Sequence, residues 1–309
     1  MTNKNSKKLG FSLIELSIVI LIIGILVAGV TQGSRLVGRS RLTAAKSLTQ
    51  SSPVTGIKDL STWFETTLDK SFKSAEAVDG TAISTWYDIQ DVSDKTDATA
   101  VVGGTAVAYK ENSINGLPTV RFTSGATSYF NIAGNGSFMN NTPYSAFYVA
   151  RMSVAPASAT APRSILASSA TAVGAATVGS STFYSFVTAT TYKICESNTN
   201  AANCSSLPTA SYTFSTPTPH IISVVTAADA TATNYTRSIY LNGTLANAPS
   251  ALAQIPTITD LTIGRNAVGY FMGDIGEIIV FTRALTTPER QSVECYLGKK
   301  WGISGPTCS

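Results

Sequence analysis

Residues 4–30 read Lys-Asn-Ser-Lys-Lys-Leu-Gly-Phe-Ser-Leu-Ile-Glu-Leu-Ser-Ile-Val-Ile-Leu-Ile-Ile-Gly-Ile-Leu-Val-Ala-Gly-Val: a basic leader, Gly10, and an apolar run broken by one carboxylate, Glu15. At 1.5 Å per residue, the stretch from Phe11 to Val30 makes a helix of about 30 Å, enough to cross the hydrocarbon core of a bilayer. A charge near the centre of such a helix costs roughly 2.5–3.5 kcal/mol on insertion scales, so Glu15 needs a partner. An ordinary secretory signal and an uncleaved anchor share the basic-then-apolar order. The length of the run, the absence of a persuasive A-x-A exit, and Glu15 itself count against both.

Working outward, Lys7-Lys8-Leu9-Gly10-Phe11-Ser12-Leu13-Ile14-Glu15-Leu16 resembles the processing site of type IV prepilins and type II secretion pseudopilins. The resemblance implies cleavage after Gly10 by a prepilin peptidase and N-methylation of Phe11. It also implies that Glu15 engages the N-terminus of a neighbouring pilin subunit. The implied precursor sits in the bacterial inner membrane and passes into an extracellular pilus or a periplasm-spanning pseudopilus. Basic residues flank both ends of the apolar run, since Arg35, Arg39, Arg41 and Lys46 follow it, so the positive-inside rule alone does not fix the orientation.

Helical character is expected to continue to about Gln50, although Gly33 and Gly38 each weaken it by about 1 kcal/mol relative to alanine. At about 100° per residue Arg35, Arg39 and Lys46 share one side and Val37, Ala44 and Leu48 the other. The apolar stripe is expected to pack on the following domain. The basic stripe is left for a neighbouring subunit, for lipid phosphates, or simply for solvent.

After Ser51-Ser52-Pro53 the helical period stops and Ser, Thr, Gly, Asn and short apolar alternations take over. The expected organisation is a leader (1–10), a transmembrane and assembly helix (11–50) and a head (51–309). Taking the three leader lysines and four stem cations from the 22 basic residues leaves 15, against 17 acids once Glu15 is set aside. The head is near neutral, and no nucleic-acid surface is evident. Four cysteines in an exported head read as two disulfides with three connectivities open; local pairing, Cys195 with Cys204 and Cys295 with Cys308, is expected. No C-x-x-C pair is present and the single histidine, His220, is distant in sequence, so a zinc site is not expected.

Segments rich in Val, Ile, Tyr, Phe and Thr recur through the head, among them 83–88, 119–122, 129–132, 145–152, 163–167, 182–188, 192–195, 220–226, 237–242, 257–263 and 275–282. Turn chemistry separates them, as at Asn115-Gly116, Asn135-Gly136 and Asn242-Gly243. One helix follows: Thr286-Thr287-Pro288-Glu289 supplies an N-cap hydroxyl, an early proline and an acid. Val293, Tyr296, Leu297 and Lys300 or Trp301 share a face, and Gly302 ends it. It is expected to seal the sandwich, with Cys295 tied to the tail. The fold class is α+β: a long N-terminal helix, an antiparallel β-sandwich and a short C-terminal helix.

The head also resembles concanavalin A-like and laminin G-like jelly rolls. The residues that carry this are Thr85-Trp86-Tyr87-Asp88, Ile114-Asn115-Gly116-Leu117-Pro118-Thr119-Val120-Arg121-Phe122, Ser238-Ile239-Tyr240-Leu241-Asn242-Gly243, Ile263-Gly264-Arg265, and Gly273 through Phe281 with Thr282-Arg283-Ala284-Leu285. The resemblance implies a two-sheet jelly roll used to bind glycans or proteins. Glucanases of this fold carry an E-x-D-x-E ladder, which is absent here, and the three-residue spacing of Asp274 and Glu277 predicts opposite faces of a strand. His220 reads as a structural histidine, and no enzyme is expected. Trp63, Trp86, Tyr129 and Tyr270 are aromatic candidates for a sugar platform, each set against core packing. No cofactor is expected; Asp88, Asp91, Asp94 and Asp97 offer calcium a weak foothold against a solvated acidic loop. The reading is a minor or tip subunit of a type IV pilus or related filament with an adhesive head. Its rivals are a major pilin or pseudopilin that binds nothing, and a membrane-anchored glycosidase.

Overall fold

The computed structural model describes residues 13–90, 95–123, 127–132, 142–152, 165–168, 182–188, 191–197, 210–213, 218–229, 231, 235–246, 250–252, 261–265 and 270–308. The chain divides into two units, Met1–Thr43 and Ala44–Ser309. Helix α1 (Leu13–Gln50) makes up the described part of the first and lends its last turns to the second. It ends where the change of composition predicts.

In chain order the strands are β1 (Leu60–Glu65), β2 (Thr85–Trp86), β3 (Ala98–Val101), β4 (Ala108–Ile114), β5 (Leu117–Phe122), β6 (Tyr129–Ile132), β7 (Tyr144–Met152), β8 (Leu166–Ser168) and β9 (Thr182–Thr188). They continue as β10 (Thr191–Ser197), β11 (Ala210–Thr213), β12 (His220–Ala228), β13 (Tyr235–Leu241), β14 (Thr244–Leu245), β15 (Ser250–Leu252), β16 (Leu261–Ile263) and β17 (Gly273–Phe281), followed by helix α2 (Thr287–Trp301). Among the described residues they form two antiparallel sheets. One runs β14-β13-β12-β7-β17-β5-β4, with β1 also on β17 and β15 also on β13; the other runs β11-β10-β9-β8-β16-β6-β3-β2. The α+β class and the antiparallel two-sheet arrangement are as expected.

Two apolar layers result. Between the sheets lie Phe64, Trp86, Phe122, Phe130, Tyr148 and Ile278. On the outer face of the first sheet Trp63, Phe147, Ile279 and Phe281 meet Tyr296 and Trp301 of α2 and Ala45 of α1. Helix α2 covers the sandwich by roofing the outer face of its first sheet. Covered on both faces, β17 is buried at all nine positions. That is why Ile278-Ile279-Val280-Phe281 reads as an unbroken apolar run rather than an alternation, while the two carboxylates of the strand, Asp274 and Glu277, are buried in ion pairs. The same double burial hides β1, whose Leu-Ser-Thr-Trp-Phe-Glu shows no period of two and is absent from the predicted set.

The apolar stripe of α1 also differs from expectation. Ala45 and Thr49 are buried with Leu48 beside them, whereas Val37 is 52% exposed and Ala44 is exposed. The docking stripe is Ala45, Leu48 and Thr49 at i, i+3 and i+4, which keeps the expected Leu48 and puts Ala45 in the place of its neighbour Ala44. Lys46, left by the sequence to a neighbour, lipid phosphates or solvent, pairs with Asp69 at 2.6 Å.

Strand β17 slips register against β7 between Ile275 and Glu277. The extra residue of this bulge is Gly276, where an added Cβ would stand 2.6 Å from the Trp301 ring. The bulge overturns the expectation for Asp274 and Glu277: the slip brings both to the outer face, since Glu277 bonds α2 while Asp274 meets Arg121 and Arg151.

The terminus is locked as its sequence indicates. The Glu289 carboxylate accepts from Thr286 N at 2.9 Å at the start of α2, and Gly302, at φ 65°, ends the helix. Cys295 is bonded to Cys308.

Candidate assembly segment and binding face

Gly10 and Phe11 lie outside the described residues. Glu15 sits in the first turn of α1 with its side chain exposed, four residues beyond Phe11. The span Leu13–Val30 is long and apolar enough to cross a membrane, with a mean hydropathy of 2.9 and none of it buried within the chain. Thr43 Oγ1 and Ser17 Oγ return to the helix's own carbonyls, at 3.0 and 2.8 Å, so these hydroxyls add little polarity to its surface.

Where α1 ends, its last turn joins a buried ionic cluster in the head. Lys300 Nζ stands 2.9 Å from Glu65 Oε2 and 2.9 Å from Glu277 Oε2, and all three side chains are excluded from solvent. Glu277 also accepts from Trp63 Nε1 at 2.7 Å, Tyr296 OH at 2.8 Å and Trp301 Nε1 at 2.9 Å. Glu65 accepts from the backbone N–H groups of Thr67 at 2.7 Å and Leu68 at 2.6 Å, and from the Thr67 and Ser71 hydroxyls. Tyr296 OH, whose proton goes to Glu277, also lies 3.2 Å from Thr49 Oγ1, so the cluster reaches α1. Burial works against the Lys300 charge, but Glu277 and Glu65 overcome it and lift its pKa above the ordinary lysine value. Burial likewise pushes Glu65 up, and Lys300 with the hydroxyl and N–H donors brings it below the usual carboxylate value. Every charge is met, so the cluster clamps β1, β17, α2 and α1 together. Sequence reading put Lys300 or Trp301 on the apolar face of α2, and both are buried there, but it could not supply partners so distant in the chain.

Beside this junction opens a cleft of about 820 Å³, with Ile57, Leu60, Trp63 and Ile89 on its apolar side and Lys46 and Asp69 at its rim.

The aromatic candidates separate into two classes. Trp63 and Trp86 are core residues at 2% and 0% exposure, and Trp86 Nε1 donates to Glu65 O at 2.8 Å. Tyr129 and Tyr270 are half-buried and come together around Arg265, whose guanidinium carbon lies 4.6 Å from the Tyr129 ring centroid and 5.7 Å from that of Tyr270. The sequence named both tyrosines, but nothing in it joined them.

Of the acidic candidates, Asp91 and Asp94 lie outside the described residues. Asp88 is buried and accepts from Trp63 N at 3.2 Å and Gln90 N at 3.1 Å, while its own N–H donates to Asp97 at 3.0 Å. Burial pushes the Asp88 pKa up to about 6. Among the described residues no group of three acidic, histidine or cysteine side chains is placed to hold a metal. His220 is buried at the start of β12, 3.1 Å from Thr218 Oγ1 and 3.3 Å from Asn242 Nδ2, and burial lowers its pKa. The pairing of Cys195 with Cys204 falls outside the described residues.

A family model described as a prokaryotic N-terminal methylation motif matches residues 5–31. It supports the prepilin-type leader and helix read from the sequence. No curated protein matches the chain. Among solved structures the chain is similar to domain 4 of AbnA, a GH43 extracellular arabinanase from Geobacillus stearothermophilus, in complex with arabinotriose, at 12% identity and a TM-score of 0.47 over 76% of this chain and 97% of that one. It is similar to Trypanosoma rangeli sialidase in complex with sialic acid at 13% identity and a TM-score of 0.47, over 79% of this chain and 33% of the sialidase. The botulinum neurotoxin serotype D binding domain aligns at 14% identity with a TM-score of 0.49, over 80% of this chain and 53% of that one. The chain thus spans only about a third of the sialidase.

Proposed function

We propose that this chain is a minor or tip subunit of a type IV pilus or related filament, carrying a lectin-like, jelly-roll head for adhesion to a glycan or surface protein. One observation carries the reading: the methylation motif at residues 5–31 runs directly into a helix whose Leu13–Val30 segment can cross a membrane and bears a single carboxylate, Glu15. In this reading a prepilin peptidase cuts between Gly10 and Phe11 and Phe11 is N-methylated. The new α-amino group, or that of a neighbouring subunit, then meets Glu15. The precursor waits in the inner membrane and the mature subunit enters the filament through its helix. A head of more than 250 residues would crowd a helical array if every subunit carried one, which favours a minor position.

The head is read as non-enzymatic. Asp274, one of the two outer-face carboxylates of β17, is bound by Arg121 at 2.7 Å and Arg151 at 2.6 Å; the other, Glu277, is committed to the Lys300 cluster. Neither is poised to protonate or attack a glycosidic bond. The rival reading, a major pilin or secretion pseudopilin whose head binds nothing, draws support from the burial of both Trp63 and Trp86.

Peptide mass spectrometry of protein from sheared surface filaments tests the proposal. The expected N-terminus is methylated Phe11. An intact Met1, or cleavage near Ala28, would remove the filament reading, and a dominant stoichiometric band in the filaments would favour the major-subunit rival.

A further inference from the structure

Resting on the binding-head reading above, we propose that Arg265, Tyr129 and Tyr270 form a binding site for an acidic saccharide, one bearing a carboxylate or sulfate on a pyranose ring. Strand alternation builds the site. In β6, Phe130 points into the core and Tyr129 out of it; Phe271 is likewise buried in the core, while Tyr270, bridged to Arg265, lies half-exposed. The two phenylalanines stack edge-on against Phe122, with centroids 6.2 and 5.7 Å away, so the platform beneath the tyrosines is rigid. Gly264, at φ +86°, lets the backbone lie against Phe122 where an added Cβ would stand 2.2 Å from the ring. The Arg265 carbonyl accepts from Thr262 Oγ1 at 2.9 Å, and Phe271 N donates to Gly264 O at 2.8 Å, which pins the arginine's backbone on both sides.

Arg265 stands half-exposed between two aromatic rings and, among the described residues, makes no ion pair. Other head arginines behave differently: Arg121, Arg151, Arg283 and Arg290 each hold a carboxylate. A guanidinium held by ring stacking keeps its N–H edge for a planar oxyanion, which it binds in a forked geometry. The surrounding face suits a sugar. Val101 lies opposite Tyr129, and Thr99 opposite Asn131, giving stacking and hydrogen-bonding groups on adjacent strands about 4.8 Å apart. A peptide added as a strand is disfavoured, because β6 is paired on both sides by β3 and β16 and offers no free edge.

The test uses the full chain in detergent micelles and three probes of equal length: an oligogalacturonate, a sulfated galacto-oligosaccharide and a neutral galacto-oligosaccharide. At least one acidic probe is expected to bind tenfold or more tighter than the neutral one, and which of the two does so identifies the anion. Arg265→Gln is expected to weaken acidic binding about tenfold to a hundredfold, Arg265→Lys less, and Tyr129→Leu also, with thermal unfolding unchanged. In the unsubstituted chain, phenylglyoxal labelling of Arg265 should be blocked by the acidic probe, a readout that needs no variant to fold. Equal binding of acidic and neutral probes, tighter binding of an acidic peptide, unimpaired Arg265→Gln, or labelling that the probe does not block would each overturn the site. Glycan binding that survives Arg265→Gln would leave the adhesive head standing without this site; no binding to any probe, with methylated Phe11 present, would leave the filament reading standing alone.

Discussion

Lys300 holds a buried positive charge between Glu65 and Glu277, and its removal leaves two carboxylates facing each other without solvent. Lys300→Met is therefore expected to destabilise the head by about 3–5 kcal/mol, read by denaturant unfolding; a loss below about 1 kcal/mol would mean that the cluster relaxes by admitting water. Asp88 gives the opposite kind of effect. Its folded pKa of about 6 lies above the ordinary aspartate value, so the native state holds more protons than the unfolded chain between about pH 4 and pH 6. Its contribution to stability is full below about pH 4, falls as pH rises to about 6, and is flat beyond. Asp88→Asn keeps an acceptor for Trp63 N and Gln90 N, and the Gln90 amide can turn to match it. It is expected to match the parent near pH 4 and exceed it at pH 7 by up to about 3 kcal/mol in thermal or denaturant unfolding. At this scale the sequence was partly legible. Glu15 stands out because a charge in an apolar run is anomalous by itself, whereas the Arg265 cluster and the Lys300 partners exist only once strands distant in sequence are paired.

The elements were more readable where the signal is local. Helix α2 announces both ends, through Glu289 reaching back to Thr286 and through Gly302, and its boundaries follow from capping chemistry alone. Asn115-Gly116 and Asn242-Gly243 have positive φ at both residues and close tight hairpins, as their composition indicates. The bulge in β17 was not readable, because a glycine between Ile275 and Glu277 looks the same whether or not the strand slips. Its requirement is tertiary: the Trp301 ring occupies the space above it. Gly276→Ala is expected to cost about 1–3 kcal/mol, since the ring must move and its 2.9 Å bond to Glu277 lengthens; thermal unfolding of the variant measures this, and an unchanged midpoint would show that the bulge tolerates a side chain. Strand β1 escaped for a related reason, since burial on both faces erases the alternation by which a half-exposed strand is recognised.

For the whole molecule, the end of helix α1 at Gln50 was visible as the change of composition after Ser51, while the stacking of two sheets beneath a helical roof was not, because it depends on which face of each strand is covered. Glu15 is the feature that acts at this scale. Glu15→Val is expected to leave membrane insertion intact, since it makes the span more apolar, and to impair incorporation into filaments, measured as the ratio of filament-borne to membrane-borne protein. Normal incorporation would contradict the pairing of Glu15 with an N-terminus. The two sheets of the head also carry different attachments. The end of the stem is tied through Thr49, Tyr296 and Glu277 to the first sheet, while Tyr129 lies on β6 of the second with Arg265 stacked over it, and among the described residues no strand is shared between the two sheets. If a ligand held at Arg265 were pulled against the stem, the tension would cross from one sheet to the other through aromatic rings such as Phe122 and Phe130 and through the loops that join the sheets, loading the apolar interior in shear while the ladders within each sheet stayed paired.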